Sequence, residues 1–101
     1  MERGGYVYIM SNKNNTVLYI GVSSNLMARV FEHQTKISPT SFTARYNCDK
    51  LVFFEPFDFI EDAIAREKQL KGGNRAVKVE LVNSINPSWR DLFEDIKEND
   101  F

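Results

Sequence analysis

The sequence predicts an α/β protein of the α+β type, in which helices flank a three-stranded antiparallel sheet and the elements follow the order ββαβαα. Three observations predict this fold. Two runs of β-forming residues, 6–10 and 16–22, are separated by the turn cluster 11–15. A third run, 51–57, is almost continuously apolar, which predicts burial on both of its faces. Helical periodicity and capping residues follow the second and third runs.

The first two strands are predicted to form an antiparallel hairpin, because the loop between them is short. With the turn centred between Lys13 and Asn14, Tyr8 lies directly opposite Tyr19. Side chains alternate along a strand, so the tyrosines share one face with Gly21, which leaves open space beside them. The opposite face is wholly aliphatic and is predicted to be core; it comprises Val7, Ile9, Leu18, Ile20 and Val22.

The second strand leads into a predicted helix over residues 26–34, which follows the N-cap formers 23–25. Arg29 and His33 are four residues apart, so they lie on one edge of this helix. Residues 35–47 are predicted to be a loop with a turn or two. The predicted buried side of the helix comprises Leu26, Met27, Val30 and Phe31, and the loop carries the aromatic and basic residues Phe42, Arg45 and Tyr46 as candidate substrate contacts.

Glu67 lies on the predicted helix 58–71, after the third strand. Asp58 and Glu61 fit a capping box at its start, and the glycines 72–73 end it. Glu67 falls on the apolar side, where a carboxylate costs free energy unless it is paired or bound to a ligand. From this helix alone, a frayed stripe that lets Glu67 reach water is the slightly better explanation. The apolar side comprises Ile60, Ala63, Ile64 and Leu70.

The remainder of the chain is predicted to be helical. Residues 75–85 carry apolar side chains on roughly one side, and Asn86 and Pro87 end that helix. Residues 89–93 are predicted to form a last turn whose aromatic rings pack on the body, and fraying is expected beyond about residue 95.

Length and composition limit the class of protein. A chain of 101 residues with 43% hydrophobic and 13% aromatic residues predicts a single globular domain, 1–101. The single cysteine, Cys48, excludes an intramolecular disulfide and a multi-cysteine metal site. The sequence shows no signal peptide and no apolar run long enough to cross a membrane, which predicts a cytoplasmic protein without membrane contact.

The net charge of −1 hides an uneven distribution. Residues 1–50 carry six Lys or Arg against three acidic residues, and residues 66–78 carry five against one. Residues 91–100 reverse the sign, with five acidic residues and one lysine. A basic body suits a phosphate-bearing partner, although from charge alone an ordinary solvated surface is the better explanation.

Several side chains suited to phosphodiester cleavage converge on one predicted surface. Arg29 suits the charge that grows on phosphoryl oxygens in the transition state, and Glu67 suits a Mg²⁺ ion that keeps most of its waters. A phenol orients or deprotonates water where a cation lowers its pKa from roughly 10. Taken singly, each residue is better explained as structural, since facing tyrosines stabilise hairpins and Arg29 and His33 suit a surface. Their shared placement favours the chemical explanation.

These residues carry a resemblance to a known family. The stretch Tyr6-Val7-Tyr8, the eleven-residue step from Tyr8 to Tyr19, and the stretch Tyr19-Ile20-Gly21 resemble the two halves of the GIY-YIG nuclease motif. Arg29, His33 and Glu67 fall where the family has its catalytic arginine, a His or Tyr, and its metal-binding glutamate. The stretches 42–47, 65–71 and 86–92 resemble signatures of a small stand-alone bacterial group related to the N-terminal nuclease domain of UvrC.

The resemblance implies hydrolysis of DNA phosphodiester bonds with one Mg²⁺ or Mn²⁺ ion. It implies Tyr8, with Tyr19 close behind, as general base or water-orienting group, Arg29 as stabiliser of phosphoryl charge, and His33 as an aid to proton transfer. It implies Glu67 as the metal ligand. Further candidate substrate contacts are Gly21, Arg45, Tyr46, Lys71 and Asn86.

The sequence departs from the family's pattern at three positions. Tyr6 stands where the motif's first glycine is expected, as in the small bacterial group. Leu18 stands where some restriction enzymes have a lysine, and Ser41 stands where the group often has glycine. Arg29 and Glu67 are unaffected by these departures.

Three functions are compatible with the sequence. The first is a metal-dependent endonuclease with little sequence preference and a role in DNA repair or recombination, since no second DNA-reading domain is expected in 101 residues. RNA stays open as a substrate. The second is a nucleic-acid-binding module without turnover, and the third is a structural remnant whose motif serves folding. Glu67 favours the enzyme, because a binding module needs basic residues but no carboxylate on an apolar stripe.

Overall fold

The structure is a computed structural model that describes residues 4–98. Over these residues an antiparallel three-stranded sheet with strand order β2-β1-β3 is flanked by helices, which confirms the predicted α+β fold. No helix in this part of the chain is long and apolar enough to cross a membrane. In chain order the elements are β1 (Gly5–Ser11), β2 (Leu18–Ser23), α1 (Leu26–Thr35), α2 (Phe42–Arg45), β3 (Lys50–Phe57), α3 (Ile60–Gly72), α4 (Arg75–Ile85) and α5 (Phe93–Glu98).

The register of the hairpin differs from the predicted one by two residues. Tyr8 pairs with Gly21 and not with Tyr19. The loop is longer than predicted because the side chain of Asn12 accepts two backbone N–H bonds from its far end, at 2.8 and 3.0 Å, and Asn15 adopts a φ of 59°. Since the shift is even, Tyr8, Tyr19 and Gly21 still share one face of the sheet.

Both faces of the sheet are buried, and the central strand β1 is buried along its whole length. The aliphatic face is core, as predicted, and α3 and α4 cover it through Ala63, Leu70 and Val82. The tyrosine face is covered by α1 and α5, so Tyr8 is 1% exposed and does not border open space. Burial on both faces was predicted for β3, but β1 is the more completely buried of the two strands. The buried residues of the tyrosine face are Tyr6, Tyr8, Met10, Leu26, Val30, Cys48, Leu51, Leu92 and Ile96.

Helix α1 begins as predicted, with the side chain of Asn25 accepting the Ala28 N–H at 3.1 Å. Its buried side is narrower than predicted. Leu26 and Val30 are buried, whereas Met27 is 37% and Phe31 53% exposed. A helix on the flank of a small sheet buries one row of side chains at i and i+4, and the adjacent row stays in solvent.

The predicted capping box at the start of the third-strand helix is wrong. Helix α3 begins at Ile60, and its N-cap is Phe59, which makes no side-chain hydrogen bond to the helix. The backbone before the helix packs on Gly4, where a Cβ would lie 2.1 Å from the carbonyl oxygen of Asp58. This packing holds the chain extended for one residue beyond the predicted start. The predicted end is confirmed, since the helix stops at Gly72.

The C-terminal segment is better ordered than predicted. Helix α5 continues to Glu98, and Ile96 within it is fully buried against the tyrosine face. The predicted fraying beyond residue 95 therefore does not describe residues 96–98, and the rest of the predicted tail lies outside the described residues.

Asn86 is part of the core and is not brought to a groove surface. It is 3% exposed, and its side-chain amide donates to the carbonyls of Val52 and Arg90 at 3.1 and 2.9 Å. Its Oδ1 accepts the Arg90 N–H at 3.2 Å. With donors and acceptor both occupied by backbone, Asn86 joins the end of α4 to β3 and to the chain after it, in place of the predicted substrate contact.

We expect Asn86→Ala to lower the free energy of unfolding by about 2–4 kcal/mol, because it leaves buried backbone groups unpaired. Urea denaturation measures this loss, with Ser84→Ala as a control whose exposed hydroxyl bonds only the carbonyl of Leu81. Any nuclease activity per folded molecule should be unchanged. A stable Asn86→Ala protein that loses activity would contradict this structural role and would place Asn86 in the candidate site.

Candidate active site

The ring of Tyr8 lies across Gly21. A Cβ built on Gly21 would lie 2.3 Å from the Tyr8 hydroxyl and 2.4 Å from its Cζ. The space that the sequence left open beside the tyrosines is thus filled by Tyr8 itself. Because Gly21 belongs to the edge strand β2, the phenol of the central strand reaches the edge of the sheet. The absence of a side chain at Gly21 is what lets Tyr8 take this position.

Gly21→Ala is expected to lower the free energy of unfolding by about 1–3 kcal/mol and to displace the Tyr8 hydroxyl, because the new methyl group overlaps the ring. Gly72→Ala is the matched control, since a Cβ there meets nothing within 4 Å. That control should be neutral or slightly stabilising. Thermal melts of both variants measure the difference, and equal melting temperatures would contradict the described packing.

His33 joins Tyr8 to the segment after α1. The Tyr8 hydroxyl lies 2.9 Å from His33 Nε2, and His33 Nδ1 lies 2.8 Å from Thr43 Oγ1. Thr43 Oγ1 in turn lies 3.3 Å from the hydroxyl of Ser41, the N-cap of α2. His33 is therefore held at both ring nitrogens. Thr43 itself is buried, at 2% exposed. Thr43 and Ser41 were not among the predicted site residues, because the contacts of Thr43 with His33 and with Ser41 exist only in the folded chain.

The pKa shifts of Tyr8 and His33 set the charge state of this network. Burial raises the pKa of Tyr8 above its ordinary value, and the charges of Tyr19, Glu67 and Glu32 raise it further, against an opposing effect of Arg29. Burial also lowers the pKa of His33, and Arg29 lowers it further. At neutral pH the phenol therefore keeps its proton and the imidazole is neutral. In the tautomer with the proton on Nδ1, the phenol donates a hydrogen bond to Nε2 and the Nδ1–H donates to Thr43.

Arg29 stands at the mouth of a small cleft beside this network. Its side chain is 48% exposed, and Nε lies 3.3 Å from a carboxylate oxygen of Glu32. A guanidinium carries five N–H donors, so this ion pair leaves capacity for an anion. Glu32 was not among the predicted site residues. The cleft has a volume of about 180 Å³ and is lined by Tyr19, Arg29, Glu32, His33, Ser38 and Ser41.

Glu67 is half-buried on α3, on the side marked by the buried residues Ala63 and Leu70. Its side chain is 15% exposed, and a carboxylate oxygen lies 3.3 Å from Nζ of Lys71. The predicted apolar stripe is thus correct at Ala63 and Leu70, although Ile64 is 37% exposed. Pairing with Lys71, one helical turn later, offsets the free-energy cost of burying this carboxylate.

Glu67 approaches the tyrosines from the other face of the sheet. Lys71, its ion-pair partner, lines a groove of about 400 Å³ together with Tyr19. Besides burial and Tyr19, the charge of Glu67 contributes to the raised pKa of Tyr8, so its carboxylate lies within electrostatic reach of that phenol. Because β2 is an edge strand, side chains from both faces of the sheet line this groove. This basic groove is lined by Leu18, Tyr19, Ile20, Phe42, Lys71, Arg75 and Lys78.

The structure brings most of the predicted site residues together. The ring centroids of Tyr8 and Tyr19 are 6.3 Å apart, and that of His33 lies 5.7 and 5.4 Å from them. Arg29 shares the small cleft with Tyr19 and His33. Tyr46 and Arg45 lie further out, with the Arg45 guanidinium carbon 5.8 Å from the centre of the Tyr46 ring.

The donor set suits a hard divalent cation better than zinc. Within residues 4–98, no group of three or more His, Cys, Asp or Glu side chains gathers as a metal-ligand set. Zinc sites require three or four such ligands, whereas Mg²⁺ commonly takes one or two carboxylates and keeps its waters. Glu67 offers one partly buried carboxylate, the type of ligand that binds a hard divalent cation.

Comparison with known proteins identifies the family. A family model described as the GIY-YIG catalytic domain matches residues 4–80. A UPF0213 protein from Syntrophus aciditrophicus is 34% identical over 81% of this chain and 92% of its own length. A UPF0213 protein from Pediococcus pentosaceus is 34% identical over 88% and 92%, and one from Natronomonas pharaonis 36% identical over 81% and 94%. No solved structure matches the chain at a significant level. The chain therefore belongs to the GIY-YIG catalytic domain family, and this membership implies nuclease activity on a nucleic-acid substrate.

Proposed function

We propose that the protein is a divalent-metal-dependent endonuclease that hydrolyses DNA phosphodiester bonds with little sequence preference, in cytoplasmic DNA repair or recombination. The observation that carries this proposal is the hydrogen-bonded chain from Tyr8 through His33 to Thr43, in which His33 lines the same cleft as Arg29. A neutral imidazole and a guanidinium at one cleft, with the Tyr8 phenol hydrogen-bonded to the imidazole, provide for proton removal and for charge stabilisation.

The proposed proton path runs along the hydrogen bond between Tyr8 and His33. Tyr8 holds its proton too tightly to act alone as a base, because burial raises the pKa of its phenol. His33 is neutral, and in the tautomer that this path uses its Nε2 accepts from Tyr8. As a water attacks phosphorus, the P–O bond to the departing sugar oxygen breaks, and that oxygen takes a proton from solvent. The proton of the attacking water passes to the Tyr8 oxygen while the Tyr8 proton passes to His33. The resulting imidazolium keeps its Nδ1–H bond to Thr43, and the Glu32 charge favours it.

Arg29 acts on the phosphate. The guanidinium donates to phosphoryl oxygens, which gain negative charge as water attacks, so its interaction is stronger in the transition state than in the ground state. Glu67 would hold the ion, and Mg²⁺ or Mn²⁺ bound there would supply a Lewis acid for the phosphate. Lys71 forms an ion pair with Glu67. When the Glu67 carboxylate binds the metal ion instead, the Lys71 ammonium is released to contact a substrate phosphate.

A binding module without turnover is the second candidate, and one observation favours it. Glu67 is already paired with Lys71, and a binding module has no need of a ligand for metal at this position. Incubation of supercoiled or branched DNA with Mg²⁺ or Mn²⁺ separates the two functions. Nicking supports the endonuclease, and a gel shift without any cutting supports the module. In both cases affinity should fall steeply with salt, because phosphates dominate such contacts.

The pH dependence of cleavage should report His33. Since burial and Arg29 lower its pKa, we expect full activity at neutral pH, with loss only as the pH falls through a pKa below the ordinary value of about 6.5. Protonated His33 accepts no proton from Tyr8. Stability should fall as the pH decreases from the unfolded-state pKa of about 6.5 to the lower folded-state pKa, since between these values the unfolded state binds the proton more readily.

The sequence contains one histidine, so an NMR titration of its ring protons follows His33 without ambiguity. The titration midpoint should match the acid limb of kcat/KM. His33→Gln should remove that limb along with most activity. A midpoint above the ordinary value would contradict the assigned neutral imidazole.

A further inference from the structure

A row of aromatic rings leads from the candidate active site to the protein surface. The ring centroids of Tyr19 and Phe42 are 6.0 Å apart with planes at 30°, and those of Phe42 and Tyr46 are 4.7 Å apart at 39°. Tyr19 is also 5.4 Å from His33, so the row begins at the cleft. Phe42 and Tyr46 are 45% and 46% exposed. We call Tyr19, Phe42 and Tyr46 the aromatic row.

The basic groove runs beside this row and shares Tyr19 and Phe42 with it. Arg75 donates to the backbone carbonyls of Asn15 and Thr16 at 2.8 and 3.2 Å, and Lys78 donates to the carbonyl of Gly73 at 3.2 Å. These partners are neutral, so they fix the two cations at the groove without cancelling their charge. The groove therefore combines flat apolar rings with fixed positive charge.

We propose that the aromatic row and the basic groove bind a nucleic-acid strand whose bases are unpaired, with bases stacked on Phe42 and Tyr46 and phosphates against the groove cations. This inference rests on the proposed function, because it supplies the substrate strand of the same site. Every base has a flat face that stacks on an aromatic ring, whatever the sequence. In a duplex those faces are covered by neighbouring base pairs, so a duplex gains from the cations alone.

The aromatic row and the basic groove are continuous with the cleft, and this defines a path for the strand. Tyr19 lines both the basic groove and the cleft that holds Arg29 and His33. A strand held by its bases on the outer rings therefore passes its backbone from the groove to the arginine. The occupant must carry alternating flat and anionic groups, which an unpaired strand does and a folded protein surface does not.

Binding without cleavage tests the inference directly. Fluorescence anisotropy in EDTA compares the full-length protein's affinity for labelled oligodeoxythymidine, for oligouridine of equal length, and for a DNA hairpin duplex. We expect the unpaired strand to bind about tenfold or more tightly than the duplex. Tighter binding of the deoxy or of the ribo strand assigns DNA or RNA as its source. Equal affinity for paired and unpaired strands would overturn the inference.

Variants locate the stacking. Phe42→Ala and Tyr46→Ala should each weaken binding of the unpaired strand by about 5- to 100-fold, while Tyr46→Phe keeps it. Phe59→Ala is the matched control, because Phe59 is 66% exposed and lies outside the groove. Lys78→Gln should reduce the slope of affinity against salt by about one. Phe42→Leu guards against misfolding of the alanine variant; wild-type affinity in both the Phe42→Leu and Tyr46→Ala proteins would overturn the inference.

The measurement separates this inference from the proposed function. If Mg²⁺-dependent cleavage occurs but substitution of Phe42 and Tyr46 leaves binding unchanged, the strand proposal fails and the endonuclease proposal stands. If ring-dependent binding of unpaired strands occurs without cleavage, the strand proposal holds and the protein is the binding module.

Discussion

Arg29→Ala is expected to slow single-turnover cleavage by about 10²- to 10³-fold, on the scale of removing one group that stabilises transition-state charge. The fold should be unaffected, since the ion pair with Glu32 joins two side chains that are each 48% exposed. Exposed pairs of this kind contribute about 0–1 kcal/mol to the free energy of unfolding. The measurement is the rate of cleavage of a labelled strand at saturating protein, beside a thermal melt.

Two companion variants separate the charge of Arg29 from its shape. Arg29→Lys keeps the positive charge but loses the planar fork of donors, so it should recover only part of the rate. Arg66→Ala is the control, because Arg66 is also ion-paired, to Glu55 at 3.1 Å, but lines neither the cleft nor the groove. A fully active Arg29→Ala protein would remove the guanidinium from the mechanism.

Glu67→Gln should reduce metal-dependent cleavage by about 10³-fold or more, because an amide is a far weaker ligand for Mg²⁺ or Mn²⁺ than a carboxylate. The change is nearly isosteric, and the released Lys71 is 54% exposed, so unfolding should change little. Titration calorimetry with Mn²⁺ in the absence of nucleic acid gives a second readout. It should show binding to the wild type and none to the variant.

Glu55→Gln is the control for the loss of one carboxylate. Glu55 pairs with Arg66 and lies on β3, away from the two cavities that Tyr19 lines. It should keep both metal binding and cleavage. Wild-type Mn²⁺ binding in Glu67→Gln would mean that another residue holds the ion.

The elements of the fold follow from local sequence patterns. The β-forming runs, Asn25 at the start of α1 and the glycine pair at the end of α3 are signals that act over a few residues, so the fold class was predictable. The register of the hairpin was not. It depends on how Asn12 captures the far end of its loop, and the spacing of the strands alone does not reveal that contact.

The candidate site was predictable in its residue types and spacing but not in its environment. The burial of Tyr8 requires α5 against the tyrosine face, and the sequence indicated fraying where Ile96 is buried. Thr43 enters the site only because the segment after α1 folds back on His33. Asn86 shows the reverse case, since the family resemblance suggested it as a substrate contact, whereas its side-chain amide bonds backbone carbonyls at the core.

The most direct test of the account compares wild-type, Arg29→Ala and Glu67→Gln proteins, purified identically, on one supercoiled plasmid with Mg²⁺ or Mn²⁺. We predict that the wild type nicks the plasmid, that EDTA stops it, and that both variants remain folded and inactive. Equal nicking by all three proteins, or no cleavage by the wild type of supercoiled, branched or unpaired DNA, would contradict it.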